Sequence, residues 1–281
     1  MCMHLVVVPT AEAIVLLSHQ VLCVKGMLTG KRTLVWAPAQ VLYDAPEKNN
    51  VEKGKEDGPL LRRWIGSAMR EAKSEVIIAS PYLVPGDGGM RLLESLRQRN
   101  VRISVLTNSL ASTDVPMVHA AYQHYRERMV KDGIELYEAR PMSGQPGNAG
   151  DKSGGSGDTS EGKSAGQFTL HDKIFIFDRK RAFIGSMNFD RRSLRINTEG
   201  GLLIDSPELA RQLVDRFDAI TSPAKSYHVV LGPADAFGRQ PLVWRTEESG
   251  RIVDENAEPK GDLTRAIKAE LLTLLPLDDL L

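Results

Sequence analysis

Three side chains in the second half of the sequence have the chemistry of a site that handles phosphate. His171 and Lys173 are separated by one residue, and Asn188 follows them along the chain. An imidazole can attack phosphorus or transfer a proton, an ammonium group supplies a compact positive charge, and an amide donates hydrogen bonds to non-bridging oxygens. These residue types together predict a site that acts on a phosphoryl group.

Other residues of the same stretch have supporting roles in this interpretation. Ser186 can donate to the phosphoryl oxygens or position them. Glu199 is expected to accept a hydrogen bond from one ring nitrogen of His171, which would fix the tautomer and stabilise the imidazolium. Asp178 stands at a predicted strand end, where we expect it to hold the turn rather than to touch substrate. Gly185 allows a close backbone approach that a Cβ would obstruct.

Two predicted strands present these residues. Residues 167–177 and 181–184 have the apolar content of strands, and the polar residues between them indicate a turn. A further strand is predicted over 200–205, and the pair Ser206-Pro207 is typical of the start of the helix that follows it. Side chains two apart on an extended strand point to the same face. We therefore expect His171 and Lys173 to project together, while Leu170 and Ile174 point into a core.

Helices and strands alternate in the preceding part of the chain. Apolar spacing predicts a helix over 60–73, a strand over 75–80, a helix that ends at Asn100, a strand over 101–105, a helix from Thr113 or Asp114 to about Met129, and a strand over 134–138. This order indicates a layered α/β domain. Tyr82 follows the first of these strands, at the end where ligand loops gather in α/β sheets, and is a candidate substrate-binding residue, although ordinary packing would explain it equally well.

Composition limits the possible functions only weakly. The 281 residues have zero formal net charge, 42% hydrophobic residues and only two cysteines, Cys2 and Cys23. This balance fits a soluble globular protein in a reducing compartment, and it argues against a generally basic surface for nucleic acid. The histidines form no cluster with ligand spacing, so we predict no metal and no cofactor. Residues 171–195 hold seven basic and three acidic side chains, which indicates either a solvated basic turn or a rim that collects anions.

Two further regions are predicted from composition. Residues 142–167 are rich in glycine and serine, and a flexible spacer loop is favoured there over a lid on the site. The segment LVWAPAQVLY, residues 34–43, reads as a short extended segment broken by Pro38. The apolar stretch 5–24 is interrupted by polar residues, which argues against a signal peptide and against a membrane span.

The spacing H-x-K-x4-D-x6-G-S-x-N, with Glu199 downstream, resembles the signature of the phospholipase D superfamily. The resemblance implies an α-β-α sandwich with a mixed, largely parallel central sheet, of which this chain would form one motif-bearing half. It implies metal-free chemistry through a phosphohistidine, with two motifs meeting in one active site. By this resemblance the catalytic set is His171, Lys173, Asp178 and Glu199, and the substrate-binding set is Ser186, Asn188 and Tyr82.

A narrower resemblance is to the bacterial cardiolipin synthases. It is carried by LVWAPAQVLYDAPEK, IIASPYLVP, VLTNSLASTDVPMVHAAYQHYR, GIELYE and GPADAFGRQPLVWRTEE. It implies a phosphatidyltransferase that uses phosphatidylglycerol or a similar phospholipid, in peripheral contact with the cytoplasmic face of the inner membrane or otherwise in the cytoplasm. The chain then divides into a leader and inter-half connecting segment (1–50), a phospholipase D-like domain (51–222) and a C-terminal extension (223–281), which ends in a predicted helix over 263–275.

The sequence departs from this family in having one motif, since no other histidine is followed by lysine at the second position. The chain is therefore expected to be a fragment, to pair with a separate N-terminal half, to dimerise so that two copies of His171 meet, or to be inactive alone. In two-motif members the N-terminal histidine is usually the nucleophile, which would make His171 the general acid and base unless the chain forms a homodimer. The alternatives left open are a homodimeric phosphodiesterase acting on nucleic acid and a half-domain that only binds.

Overall fold

The fold is a single mixed sheet with helices on both faces. The structure, a computed structural model, describes residues 3–7, 35–46, 48, 60–141 and 169–259. Its helices are α1 (Leu61–Glu71), α2 (Gly86–Gln98), α3 (Pro116–Lys131), α4 (Arg191–Arg195) and α5 (Pro207–Ile220). Its strands are β1 (Met3–Val7), β2 (Val35–Tyr43), β3 (Glu75–Ala79), β4 (Leu83–Val84), β5 (Arg102–Asn108), β6 (Glu135–Ala139), β7 (Ile174–Phe177), β8 (Arg181–Gly185), β9 (Phe189–Asp190), β10 (Gly200–Asp205), β11 (Ser226–Leu231), β12 (Leu242–Glu248) and β13 (Arg251–Glu255).

The strand order in the main sheet is β1-β2-β10-β8-β7-β3-β5-β6-β11-β12-β13, and β4 pairs with β9 in a small second sheet. In the main sheet β3, β5 and β6 are parallel to one another, and the other described pairings are antiparallel. The expected α/β sandwich with a mixed sheet is confirmed, but the expectation that the sheet is largely parallel is wrong. The motif strands β7 and β8 are joined by a short turn, and such a turn can connect only antiparallel neighbours.

The core lies on both faces of the sheet because central strands carry consecutive apolar residues, over all of β7 and from Val76 to Ala79 in β3. On β3, Val76 and Ile78 face α1, α2 and α3, whereas Ile77 and Ala79 face α5. Alternate side chains of a strand point to opposite faces, so one short apolar run supplies both layers of core. The helix α5 begins as predicted, with Ser206 accepting a hydrogen bond from the N–H of Leu209 at 3.2 Å.

Several boundaries differ from the sequence-based expectation. β7 begins at Ile174, so His171 and Lys173 precede the strand instead of lying in it. β2 runs unbroken through Pro38, because the stretch that pairs with β10 begins only at Ala39. β2 and the strands β11 to β13 belong to the same sheet as the strands of the 51–222 region.

Some predictions lie outside the described residues, among them the loop 142–167, the helix 263–275 and most of the stretch 5–24. Among the helices that the structure describes, none has both the length and the apolar character that crossing a bilayer requires.

Asp178 joins the β7–β8 turn to the segment that leads into β3. Its carboxylate accepts hydrogen bonds from the backbone N–H groups of Lys73, Ser74 and Glu75 and from the Ser74 hydroxyl, at 2.8–3.1 Å. Burial alone would raise the pKa of Asp178, but these hydrogen bonds hold it below the ordinary value of 3.8. Asp178 also has a positive φ of 52°, a conformation that Asp and Asn tolerate better than most residues.

We predict that Asp178→Asn lowers the free energy of unfolding by about 2 kcal/mol near neutral pH, because a charged acceptor of several hydrogen bonds is lost. Asn keeps the backbone conformation, so the change isolates the carboxylate. A carboxylate whose pKa is lowered on folding stabilises the protein above the unfolded pKa, and this stabilisation is lost as pH falls through the folded pKa. The difference between wild type and variant should therefore shrink below about pH 4.

Denaturant titrations at several pH values measure this difference. The exposed Asp205, at the end of β10, provides the matched control, since Asp205→Asn removes the same charge without these contacts. If Asp178→Asn lowers the free energy of unfolding by no more than Asp205→Asn does, the role of Asp178 in holding the turn is contradicted.

Candidate active site

The antiparallel hairpin brings the two ends of the motif to one edge of the sheet. Ile174 at the start of β7 pairs with Ile184 near the end of β8, and Gly185 pairs with Gly201 at the start of β10. The segments before β7, after β8 and before β10 therefore meet. The C-terminal ends of β3 and β5 lie at the same edge, because β3 runs antiparallel to β7 and parallel to β5.

His171 and Lys173 are in contact at this edge. Lys173 Nζ lies 3.3 Å from His171 Nε2, and it donates to the His171 carbonyl oxygen at 3.1 Å. Leu170 and Ile174 are buried on the core side, as predicted. An ammonium group has no lone pair to offer, so the contact with Nε2 requires an unprotonated ring nitrogen.

The electrostatic surroundings favour the neutral imidazole. Burial and then the charge of Lys173 lower the pKa of His171, while Asp114 and Asp172 raise it in part. Burial also lowers the pKa of Lys173 despite the opposing effect of nearby carboxylates, which are those of Glu199, Asp172, Asp114 and Asp190. A neutral imidazole is the form needed for attack on phosphorus or for accepting a proton.

Ser186 and Glu199 form a hydrogen-bonded unit beside this pair. The Ser186 hydroxyl donates to the Glu199 carboxylate, whose other oxygen accepts from the Ser193 hydroxyl at 2.9 Å. The predicted hydrogen bond from His171 to Glu199 is absent among the described residues, where the Glu199 carboxylate accepts from the two serine hydroxyls and the His171 ring contacts Lys173. The close backbone approach predicted at Gly185 is present, because a Cβ at this position would lie 2.4 Å from the Gly200 carbonyl oxygen.

Asn188 and Asp190 line a cavity of about 270 Å³ next to these groups. Both side chains are buried, and Asn188 Oδ1 has no hydrogen-bond partner among the described residues. An amide oxygen that is buried at a cavity wall without a partner is suited to accept a hydrogen bond from a ligand, such as that of a hydroxyl. The Asp190 carboxylate caps α4 by accepting from the Ser193 N–H at 2.6 Å, and burial together with the charge of Glu199 raises its pKa to about 6.

Tyr82 lies at the same cavity, as the sequence predicted for a pocket residue. Its hydroxyl donates to the Asp114 carboxylate at 3.0 Å, and burial with the nearby Asp114 charge raises the pKa of Tyr82 to about 12. The remaining wall has an apolar side formed by Val84, Val115, Met117 and Val118, and it also includes Arg192 and Asn197. The cavity therefore combines polar and charged groups with an apolar side.

A buried ion pair behind the site fixes the segment that carries Glu199. Lys48 is 1% exposed, and its Nζ donates to Asp44 Oδ2 at 2.6 Å and to the carbonyl oxygens of Ser193 and Asn197 at 2.7 Å. Asp44 accepts from the Glu199 N–H at 3.0 Å and from the Leu61 N–H at 2.6 Å. Its own N–H donates to the Glu199 carbonyl oxygen at 2.8 Å.

The structure thus brings together six of the seven predicted site residues: His171, Lys173, Glu199, Ser186, Asn188 and Tyr82. Asp178 lies at the opposite end of β7, roughly 15 Å of extended chain from Lys173, and it holds the turn instead of joining the site.

Sequence reasoning missed four residues that shape the site: Asp114, Asp190, Asp44 and Lys48. Asp190 lies two residues beyond Asn188 in an extended segment, so same-face spacing could have found it. Asp44 and Lys48 could have been suspected only as an i, i+4 pair, since no sequence signal showed their burial.

Comparison with known proteins finds several relatives that are named cardiolipin synthase. Residues 65–221 match the family model described as cardiolipin synthase, PLD-like domain. Cardiolipin synthase C of Escherichia coli K12 is 32% identical over 260 residues, which cover 92% of this chain and 51% of that protein. Cardiolipin synthase B of the same strain is 26% identical over 152 residues, covering 54% and 30%. The chain therefore spans about half or less of these curated relatives.

Among solved structures, the phospholipase D family member Nuc from Salmonella typhimurium is similar with a TM-score of 0.44 and 19% identity. The match covers 64% of this chain and 91% of Nuc.

We predict that Lys48→Met lowers the free energy of unfolding by about 3 kcal/mol or more, because it leaves the buried Asp44 carboxylate without its cation. Lys180→Met is the matched control, since Lys180 is exposed on the β7–β8 turn, and it should change stability by less than about 0.5 kcal/mol. Chemical denaturation of both variants measures the difference. Equal stability of the two variants would exclude Asp44–Lys48 as the support of the Glu199 segment.

We further predict that Lys173→Met raises the pKa of His171, because it removes a neighbouring positive charge, and that Asp114→Asn lowers it, because it removes a negative one. NMR titration of the His171 ring protons, assigned with His171→Asn, measures both shifts. Lys180→Met should leave the His171 titration unchanged. Shifts of the same sign in the Lys173 and Asp114 variants would contradict the proposed electrostatics.

Proposed function

Because the chain belongs to the family of cardiolipin synthase, PLD-like domains, we propose that it supplies one half of a phosphatidyltransferase active site. The observation that carries this proposal is the contact between a neutral His171 and Lys173 at the sheet edge, next to the cavity lined by Asn188. A neutral ring nitrogen and a positive charge are groups that transfer of a phosphodiester needs, and the unpartnered Oδ1 of Asn188 is an acceptor for a substrate hydroxyl.

In the proposed reaction a histidine Nε2 forms a bond to the phosphorus of a phosphatidyl donor. The bond between phosphorus and the leaving alcohol oxygen breaks, and a second histidine gives a proton to that oxygen. The hydroxyl of an acceptor phospholipid then attacks the phosphohistidine, its proton returns to the second histidine, and the first histidine is released. With two phosphatidylglycerol molecules the products are one cardiolipin and one glycerol.

The charge distribution supports the need for a second motif. Lys173 is surrounded by four carboxyl groups, those of Asp114, Asp172, Asp190 and Glu199, and only Asp172 among them has an ion-pair partner within the described residues, Arg216 at 3.5 Å. Lys173 and the cavity-lining Arg192 are together fewer cations than these four carboxyl groups, so a phosphodiester anion would be poorly stabilised in such surroundings. A second His-Lys pair, from a second copy of this chain or from an N-terminal half, would supply both the missing positive charge and the missing proton donor.

The apolar side of the cavity supports a lipid over a nucleotide. Val84, Val115 and Met117 form a wall suited to glycerol and acyl carbons, whereas Tyr82 is the aromatic residue that lines this cavity and its hydroxyl is held by Asp114. We propose that the substrate is reached by peripheral contact with the cytoplasmic face of the membrane.

We predict that His171→Asn lowers phosphatidyl transfer about 10³-fold, because it removes the group that attacks phosphorus or moves the proton. His124→Asn, at an exposed position on α3, is the matched control and should retain full activity. Cardiolipin and glycerol are measured together, in mixed micelles that contain phosphatidylglycerol, over a range of protein concentrations.

Specific activity that rises with protein concentration would support a site shared between two copies. Absence of cardiolipin at every concentration would contradict transfer by this chain alone. Cleavage of single-stranded DNA that is lost in His171→Asn, without lipid turnover, would instead establish the nucleic-acid phosphodiesterase.

A further inference from the structure

A second, larger cavity lies between α1, α2 and α4. Its volume is about 630 Å³, within the range of small-ligand sites. Its walls carry six arginines against one carboxylate, that of Asp87. The arginines are Arg62, Arg63 and Arg70 on α1, Arg91 on α2, and Arg191 and Arg195 on or beside α4.

This cavity is separated from the catalytic one by the short strand β9. Asn188 and Asp190 line the catalytic cavity, whereas Met187 and Phe189 line the arginine-rich cavity. Side chains of an extended segment alternate between its two sides, so the segment 187–190 forms a wall with a different cavity on each side. A ligand on the arginine side therefore does not occupy the position next to His171.

Three arginines of this cavity have no anionic partner among the described residues. Arg62 donates to the Leu194 carbonyl oxygen at 3.2 Å. Arg70, Arg91 and Arg195 form no ion pair or side-chain hydrogen bond with other described residues, and all three are exposed. Guanidinium groups bind phosphate oxygens in pairs, and their mutual repulsion makes an anion between them favourable.

Part of the cavity lining is apolar and accessible, which restricts the class of anion. Leu92 and Leu194 line the cavity and are only half-buried, so they leave apolar surface open to a ligand, whereas the other apolar lining residues, such as Phe189, are almost fully buried. An inorganic anion would use the arginines and leave this surface uncovered. An amphiphile with a phosphate group and adjoining hydrocarbon would use both.

We propose that this cavity binds the phosphate headgroup of an anionic phospholipid, as a lipid site distinct from the catalytic cavity. The phosphate lies among the guanidinium groups, and the glycerol and the first acyl carbons contact the apolar lining. Such a site would hold the protein on a membrane rich in anionic lipid without involving His171.

The test uses His171→Asn protein, so that binding is measured without turnover and is independent of the proposed transferase activity. Soluble dihexanoyl phosphatidylglycerol, dihexanoyl phosphatidylcholine, inorganic phosphate and a single-stranded oligonucleotide are each titrated by calorimetry. Arg70→Gln, Arg91→Gln and Arg195→Gln are combined in one variant. The control combines Arg99→Gln, Arg211→Gln and Arg251→Gln, which removes the same charge from exposed positions elsewhere. Thermal unfolding of both variants verifies that they remain folded.

We expect phosphatidylglycerol to bind, and the cavity variant to bind it at least about tenfold more weakly, because charge-assisted hydrogen bonds to phosphate are lost. The control variant should bind it as the parent does, and phosphatidylcholine should bind more weakly to the parent. Equal binding by the cavity variant and the parent would overturn the proposal, as would equal losses in both variants. Inorganic phosphate that binds as tightly as phosphatidylglycerol would overturn the lipid assignment. So would an oligonucleotide that binds more tightly than the lipid and loses affinity in the cavity variant.

Discussion

The carboxylate of Asp44 is the point where three separate segments of the chain are joined. It accepts hydrogen bonds from the N–H of Leu61 at the start of α1, from the N–H of Glu199 before β10, and from the buried ammonium of Lys48. Lys48 in turn donates to the carbonyl oxygens of Ser193 within α4 and of Asn197 after it, and so holds the loop between α4 and β10. A buried charge is stable only when such partners surround it, so the geometry of this loop is tightly determined.

The position of Asp44 affects the site through Glu199. With its backbone fixed by Asp44, Glu199 directs its carboxylate to Ser186 and Ser193, which places the end of the β8 segment relative to α4. Gly185 is required at this point, because the Gly200 carbonyl oxygen approaches too closely for any Cβ. The hydrogen bonds of Glu199 thus serve to position the loop, and the contact partner of the His171 ring is Lys173.

The sequence predicted those features that depend on local spacing. The alternation of apolar residues located the helices α1, α2, α3 and α5 and the strands β3, β5, β6, β8 and β10 to within a few residues. Spacing along the motif also brought His171 and Lys173 together correctly. Strand direction, the burial of Lys48 and the position of Asp114 depend on contacts between distant segments, which spacing does not encode. The partner of Glu199 was mistaken for the same reason, since Ser193 approaches it only through the α4 cap at Asp190.

The segment 187–190 lies between two cavities. Because its side chains alternate, Asn188 and Asp190 line the cavity that Tyr82 also lines, while Met187 and Phe189 line the arginine-rich one. Phe189 also packs against Phe175 of β7, with ring centroids 6.0 Å apart, and its N–H donates to the Ser80 hydroxyl at 3.0 Å. These contacts attach the segment 187–190 to β7 and to the residue that follows β3. A ligand in either cavity would contact the same rigid segment. The two cavities therefore have one wall in common, although each would hold its own ligand molecule.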